Sequence, residues 1–569
     1  MRFLTAGVFA MLLQSVALPA LADEDSGAYL AARQARIDHD FAAAAQYFTQ
    51  ALTQDLSNPA IMENAAFSFL ALGDVDKAVP VSRRIDEAGL KSQIAFMALI
   101  ANGIKQAEYD AVISQVNDER GIGTLADSLV AAWAQIGNGN MDAALAGFDA
   151  ISQQRGLKAF ALYHKALALA FVGDFESADA IFAGRDDAPL QRTRRGVVAW
   201  AEILSQLERR EDAIALLDDA FGENADPEVA QLRAELEQDA PVPFRRVTSV
   251  QDGVAEVFYS IGQALLSDTG EDYTLLYARI AEYLDPDHVD AVLMAAQLLG
   301  ELERHELATE TYRRVPSDHP AFTSAEMGRA ESLRRLEKID AAIEVLEALQ
   351  KSHPALPLVH VSTGDLYRQD ERYQEAIDAY DDALSLFGER ASDQWFVYYA
   401  RAISYERLGV WENAEADFRA ALELNPEHPQ VLNYLGYSLV EKQIKLDEAL
   451  SMIERAVERQ PDSGYIVDSL GWVLYRLGRY EEAVGHMERA AELMPVDPVV
   501  NDHLGDVLWA VGRTTEAEFQ WKRALSFIVE ETQLQDIDPD RIRRKLEVGL
   551  DVVLAEEGAP ALKVAGEDG

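Results

Sequence analysis

The chain has 569 residues, of which 97 are Asp or Glu and 51 are Lys or Arg, so its formal net charge is -46. This negative field repels nucleic acid phosphates and anionic lipid surfaces, which excludes nucleic acid as the expected partner. Hydrophobic residues make up 49% of the chain, too many for a disordered acidic tail. The absence of cysteine excludes disulfides, thiol catalysis and lipid attachment to an N-terminal cysteine.

The first 22 residues have the pattern of a cleavable signal peptide. Arg2 precedes an apolar run from Phe3 to Leu18, and the small residues Ala20 and Ala22 precede acidic sequence. A retained membrane anchor is the alternative, but the run is shorter than the about 18 to 20 apolar residues that span a bilayer. We therefore expect cleavage after Ala22, a periplasmic location and a mature chain without an integral membrane segment.

From residue 23 to 238, a small residue recurs about every 34 positions. This is the period of a helix-turn-helix repeat, which cannot bury its apolar face alone and therefore stacks on its neighbours. Another alanine follows most of these marks by twelve residues, because the two helices of one repeat must approach closely. The marks of this first, degenerate array are Ala32, Ala66, Ala98, Ala132, Ala166 and Ala201.

Residues 239–250 contain Pro241 and Pro243, which interrupt helix and predict a joint between two solenoid segments. The period resumes in a second array over residues 251–531. A capping helix within 532–557, running from Pro539 to about Glu557, is predicted to cover the open face of the last unit. Residues 558–569 are predicted to form a loose tail. The marks of the second array are Gly262, Ala296, Ala330, Gly364, Ala402, Gly436, Gly471 and Gly505.

The best-formed unit resembles the tetratricopeptide repeat consensus. It carries Leu470, Gly471, Ala483, Ala490 and Pro495 at consensus positions, and the preceding unit repeats the pattern. The predicted fold class is therefore all-α: a right-handed α-solenoid of about 14 tetratricopeptide-like hairpins in two segments. Stacked hairpins of this kind form an extended surface that suits another protein chain, so we expect a scaffold and no enzyme.

A closer resemblance concerns the C-terminal third, in residues 432–437, 466–478 and 503–513. Together with the signal peptide and the length, these stretches resemble proteobacterial outer-membrane repeat adaptors that bind a periplasmic carboxyl-terminal processing protease. In that family the adaptor is a helical scaffold that recruits the protease and presents cell-wall hydrolases to it. The resemblance implies an envelope protease as a partner. Those adaptors are lipoproteins, however, whereas this chain has no cysteine to acylate.

No catalytic, cofactor or metal site stands out in the sequence. The run Gly121-Ile-Gly123-Thr-Leu-Ala126 matches a dinucleotide-binding fingerprint, but no apolar strand precedes it, and a loop between helices is the favoured interpretation. The histidines lack the spacing of paired metal ligands. Asp285 to Asp290 lacks the glycine and distal glutamate of a calcium loop, so helix capping explains it better. We expect no cofactor.

The remaining candidate site is the groove formed by the first helices of the last repeats. In tetratricopeptide proteins the second, fifth, ninth and twelfth positions of these helices face the groove. Aromatic rings, carboxylates and an amide at these positions suit an extended or helical peptide. The alternative for each ring is packing between neighbouring repeats. The candidate groove residues are Tyr399, Asn433, Tyr437, Tyr465, Asp468, Trp472, Tyr475, Asp502, Asp506 and Trp509.

Two functions remain open from the sequence. The first is an exported scaffold that binds one or more envelope proteins or peptides, including a protease and its substrates. The alternative is a structural component of an outer-membrane export or polysaccharide assembly machine. The two differ in whether the protein occurs free or in a constitutive complex.

Overall fold

The computed structural model of the protein describes residues 24–184, 190, 192–222, 226–238, 240–266, 269–387, 392–528 and 537–562. The predicted signal peptide, residues 1–22, lies outside these residues. Over the described part the chain forms 31 α-helices and no strand, with a short 3-10 helix at Ser392–Gln394. In the same part, no helix is long and apolar enough to cross a membrane. The predicted all-α array of hairpins is confirmed.

The chain divides into two compact units, the first ending at Val345 and the second beginning at Leu346. Unit 1 starts with six helical hairpins: α1 (Glu24–Ile37) with α2 (Phe41–Leu52), α3 (Pro59–Ala71) with α4 (Val75–Glu87), α5 (Gln93–Lys105) with α6 (Tyr109–Asn117), α7 (Thr124–Gly137) with α8 (Met141–Ser152), α9 (Lys158–Phe171) with α10 (Phe175–Phe182), and α11 (Arg194–Gln206) with α12 (Arg210–Phe221). The helices that follow are α13 (Pro227–Leu236), α14 (Val250–Leu265), α15 (Glu271–Leu284), α16 (Val289–Glu301), α17 (His305–Tyr312) and α18 (Phe322–Arg335).

Helix α19 (Ile339–Ser352) begins in unit 1 and ends in unit 2. Unit 2 continues with five hairpins and two terminal helices. These are α20 (Pro357–Gln369) with α21 (Tyr373–Phe387), α22 (Trp395–Arg407) with α23 (Trp411–Leu424), α24 (Pro429–Glu441) with α25 (Leu446–Arg459), α26 (Gly464–Arg476) with α27 (Tyr480–Leu493), α28 (Pro498–Ala510) with α29 (Thr514–Phe527), then α30 (Pro539–Val548) and α31 (Leu550–Glu556).

The repeat marks are small because a second helix packs directly against them. A Cβ added to Gly505 would overlap the indole of Trp521 in α29, and one added to Gly471 would overlap Met487 in α27. The alanine marks of the first array are likewise buried. Each close approach buries apolar surface from both helices of a hairpin. This burial stabilises the fold by about 25 cal/mol per Å² of apolar surface. The 34-residue period in the sequence thus reports the spacing of these contacts.

The boundary between the compact units does not fall at the joint predicted over residues 239–250. The described residues of this segment are fastened to α11: the N–H of Val242 donates to Ser205 Oγ at 2.9 Å, and the N–H of Arg245 donates to Glu202 Oε2 at 2.9 Å. Val242 itself is buried. The segment is therefore a packed connection inside unit 1, because its backbone groups are bound by side chains of the preceding repeat.

The single capping helix predicted within residues 532–557 is two helices over the described residues. Helix α30 ends at Val548 and α31 begins at Leu550, with Gly549 between them at φ 84°. This left-handed conformation suits glycine, and an added Cβ would overlap the ring of Trp509. The close approach of the chain to Trp509 explains the break. In the predicted tail, Ala559 to Leu562 are described and non-helical, whereas 563–569 lie outside the described residues.

Candidate peptide-binding groove

The first helices α24, α26 and α28 of unit 2 line a groove of about 870 Å³. Helices α30 and α31 and the segment Ala559–Leu562 also contribute residues to the lining of this groove. Eight of the ten residues that periodicity placed on this face line the groove: Asn433, Tyr437, Tyr465, Asp468, Trp472, Tyr475, Asp502 and Asp506.

The other two candidate residues are not part of the groove lining. Tyr399 contacts the rings of Phe418 and Tyr434, with ring centroids 6.0 Å apart in both pairs. The indole N–H of Trp509 donates to Asp551 Oδ2 at 3.0 Å, so α31 covers this ring. For these two aromatics, packing within the fold is the observed role.

Two of the carboxylates that line the groove, Asp502 and Asp506, form an ion pair with Lys545 of α30. The ammonium of Lys545 lies 2.9 Å from both carboxylate oxygens of Asp502 and 2.6 Å from Asp506 Oδ1. The indole N–H of Trp521 donates to the same Asp506 oxygen at 2.9 Å. Burial raises the pKa of Asp502 above its ordinary value, although Lys545 opposes this effect. These two aspartates, which the sequence suggested as ligands for a partner, are therefore bound to the chain's own cation.

Asp468 is also bound within the fold. Its Oδ2 lies 3.0 Å from Nδ1 of His503, and the His503 ring stacks on the indole of Trp472 with centroids 4.0 Å apart. Burial alone would lower the pKa of His503, but the nearby carboxylates of Asp468, Asp502 and Asp506 outweigh burial and raise it. Trp472 is 9% exposed, so most of its surface is covered by packing between adjacent repeats.

The middle of the groove has a polar edge made by Glu441. Its Oε1 accepts a hydrogen bond from the indole N–H of Trp472 at 2.7 Å and lies 3.5 Å from Nη1 of Arg476. Burial raises the pKa of Tyr475 well above its ordinary value, so its hydroxyl stays protonated. This part of the groove thus presents rings and neutralised charges.

The outer end of the groove is the more accessible one. Tyr465 is 45% exposed, and its hydroxyl lies 3.5 Å from Nε2 of Gln430. Tyr437 is half-buried in the same wall. A large exposed aromatic ring beside polar groups is a typical anchoring surface for a peptide. Asn433 lines the groove between these tyrosines and the buried end.

Unit 1 differs, because its own helices α14 and α15 fill the face formed by the first helices α3, α5, α7 and α9. The hydroxyl of Tyr163 in α9 donates to Glu256 in α14 at 2.8 Å. Arg36 in α1 pairs with Asp272 in α15 at 2.8 Å. A Cβ on Gly253 would overlap Trp133, which shows how closely α14 approaches α7. The face that would bind a peptide in unit 1 is thus occupied by the chain.

Periodicity missed the residues that bind the groove's carboxylates. Lys545 and Arg541 lie in α30, outside the repeats, and no local pattern links them to α28. His503 directly follows the candidate Asp502. Periodicity also missed Glu441, which accepts from Trp472 and stands at the end of its helix, outside the four positions considered. A search for basic residues in the capping helix would have found Lys545 and Arg541, since buried carboxylates need cationic partners.

Family models of the tetratricopeptide repeat match residues 327–393, 395–428 and 441–498. A TPR repeat-containing protein of Pseudomonas aeruginosa is 33% identical over 81 residues. That stretch covers 14% of this chain and 14% of the relative, so the chain spans a small part of the relative's length. Tetratricopeptide repeats are thereby confirmed over the matched residues of the chain.

Several solved structures are similar at low superposition scores. The crystal structure of the APC/C hetero-tetramer Cut9–Hcn1 matches with a TM-score of 0.38 and 14% identity, covering 92% of this chain and 96% of that one. A tetratricopeptide repeat protein from Parabacteroides merdae matches with a TM-score of 0.37 and 16% identity, covering 45% of this chain and 97% of that one. At such scores these proteins do not bear on function.

Proposed function

We propose that the protein is an exported scaffold that binds a peptide segment of another envelope protein in the groove of unit 2. The observation that carries this proposal is the contrast between the two units. In unit 1, α14 and α15 fill the face of the first helices, whereas unit 2 keeps a groove of about 870 Å³ on the corresponding helices. Tetratricopeptide proteins use such surfaces to bind other chains.

The aromatic rings of the groove support a peptide as its ligand. Asp468 is paired with His503, and Asp502 and Asp506 share Lys545, so these carboxylates are already engaged within the chain. The accessible wall carries the rings of Tyr437 and Tyr465 and the amide of Asn433, and charged side chains such as Glu406 and Lys442 also line the groove. Rings of this kind contact apolar side chains, and amide and hydroxyl groups bind the backbone of an extended segment.

Export and the identity of the partner are further parts of the proposal. The pattern of residues 1–22 supports transport to the periplasm, where the protein would meet envelope partners. The resemblance of the C-terminal third to protease adaptors supports a carboxyl-terminal processing protease as one partner. The family resemblance covers α24, α26 and α28, which are the helices that line the groove.

Affinity capture with matched variants tests this function. The mature chain, Tyr437→Ala, Tyr465→Ala and Phe519→Ala are immobilised and exposed to the same envelope extract. Phe519 is 60% exposed on α29 and does not line the groove, so it serves as the control. We expect a protein that the mature chain and the Phe519 variant retain and both tyrosine variants lose. Equal recovery on all four proteins would contradict the assignment.

A binary experiment tests the protease. The purified carboxyl-terminal processing protease of the same organism is titrated against the mature chain and against Tyr465→Ala. Binding that weakens at least about 10-fold in the variant corresponds to the loss of one aromatic anchor. Absence of binding to the mature chain would remove the protease from the proposal while leaving other partners open to the capture experiment.

A further inference from the structure

We infer that the segment Ala559–Leu562 occupies part of the peptide site of unit 2, and that the natural partner is a similar segment: extended, uncharged and composed of small apolar residues with proline. This inference rests on the proposed function and adds the chemistry of the bound peptide. It also makes the chain's own segment a competitor of the partner.

The first observation is the placement of the segment. All four residues from Ala559 to Leu562 line the groove, and none is helical. Ala559 and Leu562 are half-buried against the core of unit 2, whereas Pro560 and Ala561 are exposed. The first and last side chains of the segment therefore contact the core, while the two between them remain accessible.

The second observation is the composition of the segment. Pro560 has a fixed backbone angle and restricts Ala559 to extended conformations, so little conformational entropy is lost when the segment lies in the groove. A partner segment that contains proline would have the same advantage, since preorganised peptides bind with a smaller entropic cost. Leu562 supplies the large apolar side chain of the segment.

The third observation is the state of the charges around the segment. Arg541, which lines the groove beside it, is paired with Glu557 at 2.7 Å. Asp502 and Asp506 are paired with Lys545. A charged peptide residue would lose water here and meet Asp502, Asp506, Arg541 and Glu557, which are already paired within the chain, and this is unfavourable. An uncharged sequence such as Ala-Pro-Ala-Leu avoids that cost.

The groove is longer than the segment. Its far wall is formed by Tyr437 and Tyr465, which lie in α24 and α26, whereas the segment follows α31. A partner can therefore first contact these two tyrosines and then displace Ala559–Leu562. Because the segment is tethered, it competes at an effective concentration of about millimolar. Partners that bind the groove weakly cannot displace the tethered segment, whereas partners that bind tightly can.

A peptide derived from the chain itself tests the inference. The probe is a fluorescein-labelled peptide with the uncharged sequence of residues 558–562, and binding is followed by fluorescence anisotropy. The proteins are the mature chain, the same chain ending at Gly558, and the full-length Leu562→Asp variant, which opens the site without truncation. Far-ultraviolet circular dichroism checks that all three remain folded. Phe519→Asp is the matched control for adding a surface carboxylate.

We expect the truncated chain and Leu562→Asp to bind the peptide, and the mature chain and Phe519→Asp to bind it at least about 10-fold more weakly, as a tethered competitor requires. A probe with aspartate in place of its leucine is expected not to bind. Equal affinity in all four proteins, or no binding to either opened variant, would overturn the inference. A dimer of the mature chain that dissociates on truncation would also overturn it, by assigning the segment to a second copy.

The proposed function of the groove and the inference that Ala559–Leu562 occupies it can fail separately. If the opened variants do not bind the probe while Tyr437→Ala and Tyr465→Ala still lose the captured envelope protein, the groove is a partner site and only the self-occupancy is wrong. If the tyrosine variants also retain every captured protein, the proposed function fails together with the inference. Probe binding that Tyr465→Ala abolishes would support both.

Discussion

Lys545 joins the terminal helix α30 to the last repeat through Asp502: its ammonium lies 2.9 Å from both oxygens of that carboxylate. Lys545 is only 1% exposed, and Asp506 is 2.6 Å from the same nitrogen. A charge buried so completely is tolerated because two carboxylates surround it. The pair therefore holds α30 against α28.

Removal of the buried ammonium is predicted to loosen the end of unit 2. Lys545→Met leaves Asp502 and Asp506 buried without their cation, which costs about 3–5 kcal/mol. Hydrogen exchange of peptides from α28 and α29 measures the free energy of local opening. Lys522→Met is the control, because Lys522 forms an exposed pair with Glu518 worth at most about 1 kcal/mol. Equal exchange in the two variants would show that the buried pair does not stabilise this end.

Alanine at a repeat mark is predicted to destabilise the hairpin. Gly505→Ala places a methyl group against the buried ring of Trp521, an overpacking that costs about 1–3 kcal/mol. Gly485→Ala is the matched control, since no atom lies within 4 Å of the added carbon in this helical position. That control should be neutral or stabilising by up to about 1 kcal/mol through helix propensity. Thermal unfolding compares the two, and a stabilised Gly505 variant would contradict the packing.

The histidine in the groove wall predicts a stability that falls as pH rises. The pKa of His503 is raised in the fold above its ordinary value of 6.5 by Asp468 and the neighbouring aspartates, against the effect of burial. The stabilisation is therefore complete below about pH 6.5 and is lost as pH rises through the folded-state pKa. Urea unfolding of wild type and His503→Gln, followed by exchange of peptides from α26 and α28, should show a difference that shrinks with rising pH. A difference that grows with pH would contradict the ion pair.

Unit 1 contains a histidine, His164, that predicts the opposite dependence of stability on pH. The indole N–H of Trp133 donates to Nδ1 of His164 at 3.3 Å, and Nε2 of His164 lies 3.2 Å from Ser260 Oγ. Burial lowers the pKa of His164 to about 4 despite the nearby Glu256. Unit 1 should lose stability as pH falls from about 6.5, the unfolded-state pKa, to about 4. Urea midpoints for α7 and α9 peptides should show this decline in wild type and a smaller one in His164→Gln. Parallel curves would refute a buried neutral histidine.

The periodicity of the sequence predicts the contacts within a repeat and between neighbouring repeats. The small residue at Gly471 follows from the approach of Met487, and the groove-facing positions of Tyr437 and Asp468 follow from the turn of the helix. These contacts recur in every unit, so they leave a pattern in the sequence. The identity of the helices and their order could therefore be predicted.

Contacts made once leave no such pattern. Lys545 reaches Asp502 across 43 positions, and α14 and α15 cover the first helices of unit 1 through contacts such as Arg36 with Asp272. The break at Gly549 depends on the nearby ring of Trp509. Each of these depends on how distant surfaces pack, which the local propensity of a segment does not specify. The occupied and open parts of the groove could be told apart only in the structure.

Site-specific photocrosslinking in cells that produce the protein tests most directly whether the groove of unit 2 binds a partner. A photoreactive phenylalanine is placed at Tyr465 or Tyr437, in the groove wall, and at Phe519 as an exposed position outside it. The account predicts that both groove positions form an adduct with the same envelope protein and that position 519 forms none. Absence of an adduct at both tyrosine positions, or the same adduct at position 519, would contradict it.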